Sequence, residues 1–231
     1  MHTLSIAFSA VTLSFLAYHF YLQSASFQKI VQSYHDPDRS KVATIVVQRM
    51  LGFFLFGITP LLIAVFLFDK PLVYYGFTGA NYSKSLCWIA LLSAIVILLN
   101  YINAPKKDNL AMYPQIRITT WKPNILIIST LTWIAYLAAY EFMFRGFLLF
   151  ALYDALGLTA AIVINTSIYS LVHVPKGAKE AIGAIPLGIV LCYLTLITGN
   201  IVVAFVVHVV MALSNEWFSL RANPAIKIII K

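Results

Sequence analysis

Tyr140-Glu141-Phe142-Met143-Phe144-Arg145-Gly146 lies within an apolar run from Ile125 to Leu156, and its reading decides the fold. Ionisable side chains at membrane depth cost several kcal/mol unless they face a protein interior or trapped water. Glu141 and Arg145 are spaced i, i+4, so both project from one helix face and can pair. Alone, such a pair is better explained as a self-neutralising structural link than as a catalytic centre. His173 and His208 weaken that explanation, because each sits in a later apolar run of the same kind. Either histidine by itself is the pattern of a hydrogen-bonded packing residue. Four such groups in one greasy chain point to a buried site with chemistry.

The composition supports a membrane setting. Of 231 residues, 61% are hydrophobic and only 10% charged, and the mean hydropathy is +0.87. An ordinary soluble domain carries roughly a quarter charged residues. Cys87 and Cys192 both lie in apolar runs without ligand-like spacing and read as small buried hydrophobes. The net charge of +8 comes from basic residues scattered through loops, so it speaks for membrane topology and against nucleic acid as a partner. The run Leu4–Tyr21 has no Lys or Arg before it, which favours a retained first span over a cleaved signal peptide.

Apolar segments fall at Leu4–Tyr21, Ile45–Phe68, Leu86–Ile102, Ile125–Leu156, Leu158–Val174, Ala181–Ile197 and Ile201–Leu220. They do not alternate with period two, and backbone groups in lipid must be satisfied internally, so helices are expected and a barrel is not. The expected fold is an all-α polytopic bundle of seven or eight spans forming a single integral-membrane domain over residues 1–231. The run from Ile125 is too long for one straight span and either extends beyond the bilayer or breaks near Gly146. Gly157 and Thr198-Gly199-Asn200 are the expected turns between later helices. Lys29, Arg39, Lys41, Arg49, Lys106, Lys107, Arg117, Lys122, Lys176, Lys179, Arg221, Lys227 and Lys231 all fall on one side if seven crossings begin outside. The positive-inside rule then gives N-out and C-in.

Depth connects the anomalies. Glu141 precedes Gly157 by 16 residues and His173 follows it by 16. In an antiparallel hairpin both lie roughly 24 Å from the apex at 1.5 Å per residue. His208, nine residues past Gly199, reaches that level only if its own turn sits deeper. Two imidazoles and a carboxylate suit a divalent metal such as zinc, which lowers the pKa of bound water toward ~7. His173 and His208 are then the candidate metal ligands, Glu141 the base, and Arg145 the group that orients the carboxylate or polarises a carbonyl.

The order Tyr140-Glu141-Phe142-Met143-Phe144-Arg145, Tyr169-Ser170-Leu171-Val172-His173 and His208-Val209-Val210-Met211-Ala212 resembles the CPBP family. These are the CAAX-protease and bacteriocin-processing, or Abi, intramembrane proteases. The family pattern is Glu-Glu-x-x-x-Arg, then Phe-x-x-x-His, then His-x-x-x-Asn. The resemblance covers about residues 120–220. It implies an intramembrane metalloendopeptidase with a divalent metal, acting on prenylated CaaX proteins, bacteriocin or peptide-pheromone precursors, or membrane anchors. In a bacterium it implies the cytoplasmic membrane. Tyr140 stands where the family has its first Glu, the residue that the resemblance assigns to activating water. Ala212 stands where the family has Asn, and Asn215 lies on the same helix face about 10 Å further on. Two readings follow. One is a hydrolase with Tyr140, Glu141 and Arg145 in its catalytic centre. The other is a degenerate relative that binds peptides, confers bacteriocin immunity or acts as a scaffold.

Overall fold

The computed structural model describes residues 2–68 and 70–229, so Lys231, counted above among the basic residues, lies outside the described residues. Among the described residues eight helices make up the fold: α1 (His2–Gln23), α2 (Ala25–Gln32), α3 (Pro37–Phe66), α4 (Tyr82–Asn103), α5 (Lys107–Met112), α6 (Pro123–Leu171), α7 (Ala178–Thr198) and α8 (Val202–Ala222). All but α2 and α5 are long and apolar enough to cross a membrane, which gives six candidate spans among the described residues. The helical expectation therefore holds, with one small addition. Two short strands, β1 (Thr120–Trp121) and β2 (Lys227–Ile228), pair in parallel and tie the segment before α6 to the chain end.

The expected fourth and fifth spans are one helical stretch of 49 residues. At ~1.5 Å per residue, α6 is more than twice the ~30 Å of a bilayer core. It does not run straight. Gly157 adopts φ 77° and ψ 179°, a conformation that only glycine takes readily. The chain there doubles back, because Asn165 Nδ2 donates to the Phe144 carbonyl at 2.8 Å and the Phe144 and Tyr169 rings meet edge-on at 5.4 Å. Gly146 is no break. It lies in a π-helical stretch, Phe142–Leu148, that continues the first limb without interruption. An added Cβ there would meet the Phe142 ring at 2.8 Å and the Tyr75 carbonyl at 3.0 Å, so Gly146 serves close packing. The expected turn at Gly199 is present, left-handed at φ 73°.

A second π-helical stretch, Phe53–Ile58 in α3, packs against the end of the first limb. Gly57 lies so close to Ala139 that an added Cβ would meet the Ala139 Cβ at 2.7 Å. Isolated π turns alter the angular order of side chains on a helix and recur at functional sites. Here they bring Phe56 within 6.2 Å of the Tyr140 ring and set an aromatic wall around the midpoint of the bundle. Asn100 of α4 fastens α8 by donating to the Met211 carbonyl at 2.7 Å and to Ser214 Oγ at 2.8 Å.

Arg49 departs from its expected place as a loop-flanking topology marker. It is 3% exposed inside α3, and Glu216 of α8, 1% exposed, faces it at 3.8 Å. Its Nη1 donates to the Ser129 carbonyl, Ser129 Oγ and Thr132 Oγ1, and its Nη2 to Gln115 Oε1. Ser129 Oγ in turn donates to Glu216 Oε1 at 3.0 Å. A guanidinium buried among apolar helices needs such partners, and here they engage both terminal nitrogens while Nε has none.

Two measurements check this architecture. Gly157→Ala adds no clash, since nothing lies within 4 Å of the added Cβ, yet it should lower unfolding stability by about 1–3 kcal/mol through backbone strain alone. Arg49→Ala should cost about 3–5 kcal/mol by leaving Glu216 buried and unpaired, and adding Glu216→Gln should recover part of that loss in thermal unfolding of the detergent-solubilised protein.

Candidate active site

The centre of the site is a charged chain buried where α6 meets α8. Glu141 and Arg145 are both 0% exposed. Arg145 Nε lies 3.4 Å from Glu141 Oε2, the pairing expected from their i, i+4 spacing. The other carboxylate oxygen, Oε1, accepts from His208 Nδ1 at 2.5 Å. The Arg145 guanidinium also stacks over the Tyr169 ring, 4.1 Å from its centroid. A carboxylate only accepts, so the proton of this contact sits on His208 Nδ1 and the lone pair on Nε2.

His173 is fixed in the same sense by a different partner. Its Nδ1 donates to the Tyr169 carbonyl one turn earlier at 2.7 Å, which leaves Nε2 as an acceptor. It lies just beyond the end of α6, and burial, with the Lys176 ammonium next, pushes its pKa down to about 3. The ring is therefore neutral at working pH.

Tyr140 sits between the histidines. Its ring centroid is 6.2 Å from that of His173 and 5.8 Å from that of His208, both edge-on. Tyr136, Phe144 and Tyr169 complete the surrounding wall. The depth argument is thus met for His173, whose ring reaches the Glu141 turn of the hairpin. His208 reaches it too, through its bond to Glu141.

A cavity of about 790 Å³ opens on this group. Tyr140, His173, His208 and Ala212 line it, as do Phe15, Leu16 and Leu22 of α1 and the polar residues Arg49, Gln115 and Asn215. Glu141 and Arg145 do not line it. The sequence places Glu141 as a base facing the substrate. In the structure its Oε1 is hydrogen-bonded to His208 and its Oε2 faces Arg145 as an ion pair without a hydrogen bond, and it stands behind the imidazole. Arg49, Gln115 and Glu216 escaped notice as site-forming residues. Glu216 is an acid inside the last helix, and Arg49 a base inside α3, the same anomaly that flagged Glu141.

The donor set does not fit the expected zinc. A catalytic zinc takes three protein ligands and an open position. Here the free Nε2 atoms of His173 and His208 are accompanied in the cavity wall by the Tyr140 phenol, with the nearest carboxylate already committed. Among the described residues no group of three or more His, Cys, Asp or Glu side chains is arranged to hold a metal ion. The arrangement is instead that of a carboxylate-oriented imidazole facing a second, neutral imidazole and a phenol across a cavity that can admit a substrate segment.

Neither a curated protein nor a solved structure gives a significant match to the chain. A protein-family comparison does. The region from Lys122 to Ser214, which contains the Glu141–Arg145 helix, His173 and His208, matches the family described as Type II CAAX prenyl endopeptidase Rce1-like. Residues 122–214 are a domain of the Rce1-like type II CAAX prenyl endopeptidase family, the CPBP group that the three motifs resemble.

Proposed function

We propose that this protein is an integral-membrane endopeptidase, N-out and C-in, that hydrolyses a peptide bond in a prenylated or precursor peptide without a metal ion. The observation that carries the reading is the Arg145–Glu141–His208 chain, which aims a free imidazole nitrogen into a cavity shared with His173. His208 Nε2 takes a proton from water as the water oxygen attacks the scissile carbonyl. Glu141 stabilises the imidazolium that forms and holds its tautomer, as the carboxylate of a hydrolase triad does. His173 Nε2 accepts the second hydrogen of the water and so orients it. The Tyr140 hydroxyl donates to the carbonyl oxygen on which negative charge develops. The C–N bond then breaks as His208 returns the proton to the leaving nitrogen. In this scheme Glu141 and Arg145 are positioning residues.

A catalytically silent, peptide-binding protein is the second reading. Tyr140 favours it, since this phenol occupies the position where the family pattern has its first Glu. A buried phenol is a far poorer base than a carboxylate.

Cleavage of a prenylated fluorogenic peptide by the protein in nanodiscs separates the two. His208→Ala should lower kcat/KM by about 10²–10⁴. Tyr140→Phe should cost about 10²–10³, the effect of removing one oxyanion donor. Glu141→Gln should reduce kcat more than it raises KM, and a strong chelator should leave the rate unchanged. Loss of activity on chelation that zinc restores would refute the metal-free scheme. An inert native protein that gains cleavage with Tyr140→Glu and Ala212→Asn would establish the silent reading.

A further inference from the structure

The cavity beside His208 carries a polar shelf that the hydrolytic scheme leaves unused. Gln115 lies in the loop between α5 and β1 and lines the cavity together with Arg49. The buried Arg49–Glu216 pair fixes this residue twice. Its backbone N–H donates to Glu216 Oε2 at 3.3 Å, and its side-chain Oε1 accepts from Arg49 Nη2 at 3.0 Å. The two partners lie 101 and 66 positions away in the chain, so the loop is held from α8 and α3 at once. Arg49, Gln115 and Glu216 all fall outside residues 122–214, so this shelf is built by parts of the chain beyond the matched domain.

The direction of the Gln115 amide follows from the chemistry of its partner. A guanidinium only donates, so the oxygen must face Arg49 and the NH₂ group must point the other way. The Nε2 hydrogens have no protein partner among the described residues, and the residue stands in the cavity wall. A cation on the amide oxygen polarises the group and strengthens its N–H bonds as donors. Trp133 steadies the cation from another side, its ring centroid 4.1 Å from the guanidinium. A side chain held in this way loses little further freedom when it meets a ligand. A plain connector between α3 and α8 needs the Gln115 oxygen and backbone N–H, and has no use for the amide nitrogen.

The ligand group must be an acceptor. Arg49 and Glu216 offset each other at 3.8 Å, so the shelf favours a neutral acceptor such as a peptide carbonyl over an anion. Glu216 follows His208 by eight residues in α8, about 12 Å along the axis. An extended peptide covers that distance in about three or four residues. Resting on the reading above for a peptide as the occupant, we propose that Gln115 is a substrate-binding residue. Its Nε2 donates to a backbone carbonyl about three or four residues from the bond aligned with His208. Because it grips backbone, it holds the peptide in register whatever its side chains.

The test uses the prenylated fluorogenic peptide and a series in which each backbone amide in turn becomes a trans-alkene, which keeps the shape and removes the carbonyl. Fluorescence anisotropy on the protein in nanodiscs reads binding without turnover. In the native protein one replacement, about three or four residues from the cleaved bond, should weaken binding about tenfold. Gln115→Glu keeps an oxygen for Arg49 and removes the donor. It should weaken binding of the parent peptide about tenfold, and bind that one alkene no more weakly than the parent. In turnover KM should rise while kcat stays within about twofold, the mark of uniform binding. Gln115→Met should erase the same preference, should a second carboxylate beside Glu216 unfold the Glu variant. A series in which no replacement matters would overturn the inference, as would a position-specific loss that persists undiminished in the variants. A position-specific loss that the variants erase, in a protein that cleaves nothing, would instead overturn the endopeptidase reading and leave the Gln115 contact standing.

Discussion

A buried carboxylate in an apolar bundle must be satisfied, and around Glu141 that requirement organises the protein. Its two oxygens draw Arg145 from the same helix and His208 from α8 into one contact. An unpaired charge in this setting costs several kcal/mol, so α6 and α8 cannot slide or rotate relative to each other without paying it. The same contact fixes which nitrogen of His208 carries its proton. Structural necessity and chemical readiness thus arise from one interaction.

The remaining architecture holds the opposite wall of the site at the right distance. Gly157 folds α6 back so that Tyr169 and His173 return to the level of Tyr140. The π-helical stretch after Glu141 keeps Arg145 on the carboxylate while packing Phe142, Phe144 and Phe147 into the core. Toward the end of α8, Arg49 and Glu216 repeat the device: one buried ion pair, hydrogen-bonded through both terminal guanidinium nitrogens, joins α3, α6 and α8. The cavity reaches both contacts, with Arg49 and His208 in its wall.

The replacement of the family's first Glu by Tyr140 changes what the site can do without disturbing how it is built. Tyr140 packs edge-on against both histidines and meets five other aromatic rings, so its ring serves the core while the residue also lines the cavity. A carboxylate at that position would need a compensating cation, and the nearest, Arg145, is already held by Glu141. Glu141 and Arg145, which match the second Glu and the Arg of the pattern, are both present and paired.

Much of this was legible in the amino-acid order. Helices, the membrane setting, the turns at Gly157 and Gly199, and the pairing of Glu141 with Arg145 all follow from local rules: hydrophobic run length, glycine's access to positive φ, and i, i+4 spacing. Hairpin symmetry even placed His173 at the depth of Glu141. What the chain alone could not decide was rotation. Whether Glu141 faces substrate or stands behind His208, and whether Arg49 marks a loop or fills a core, depends on how helices distant in sequence turn toward one another. Those angles are set by side-chain packing and by the π-helical stretches, which leave no periodic trace. The sequence therefore named the residues of the site, and tertiary packing assigned which of them meet the cavity and which support those that do.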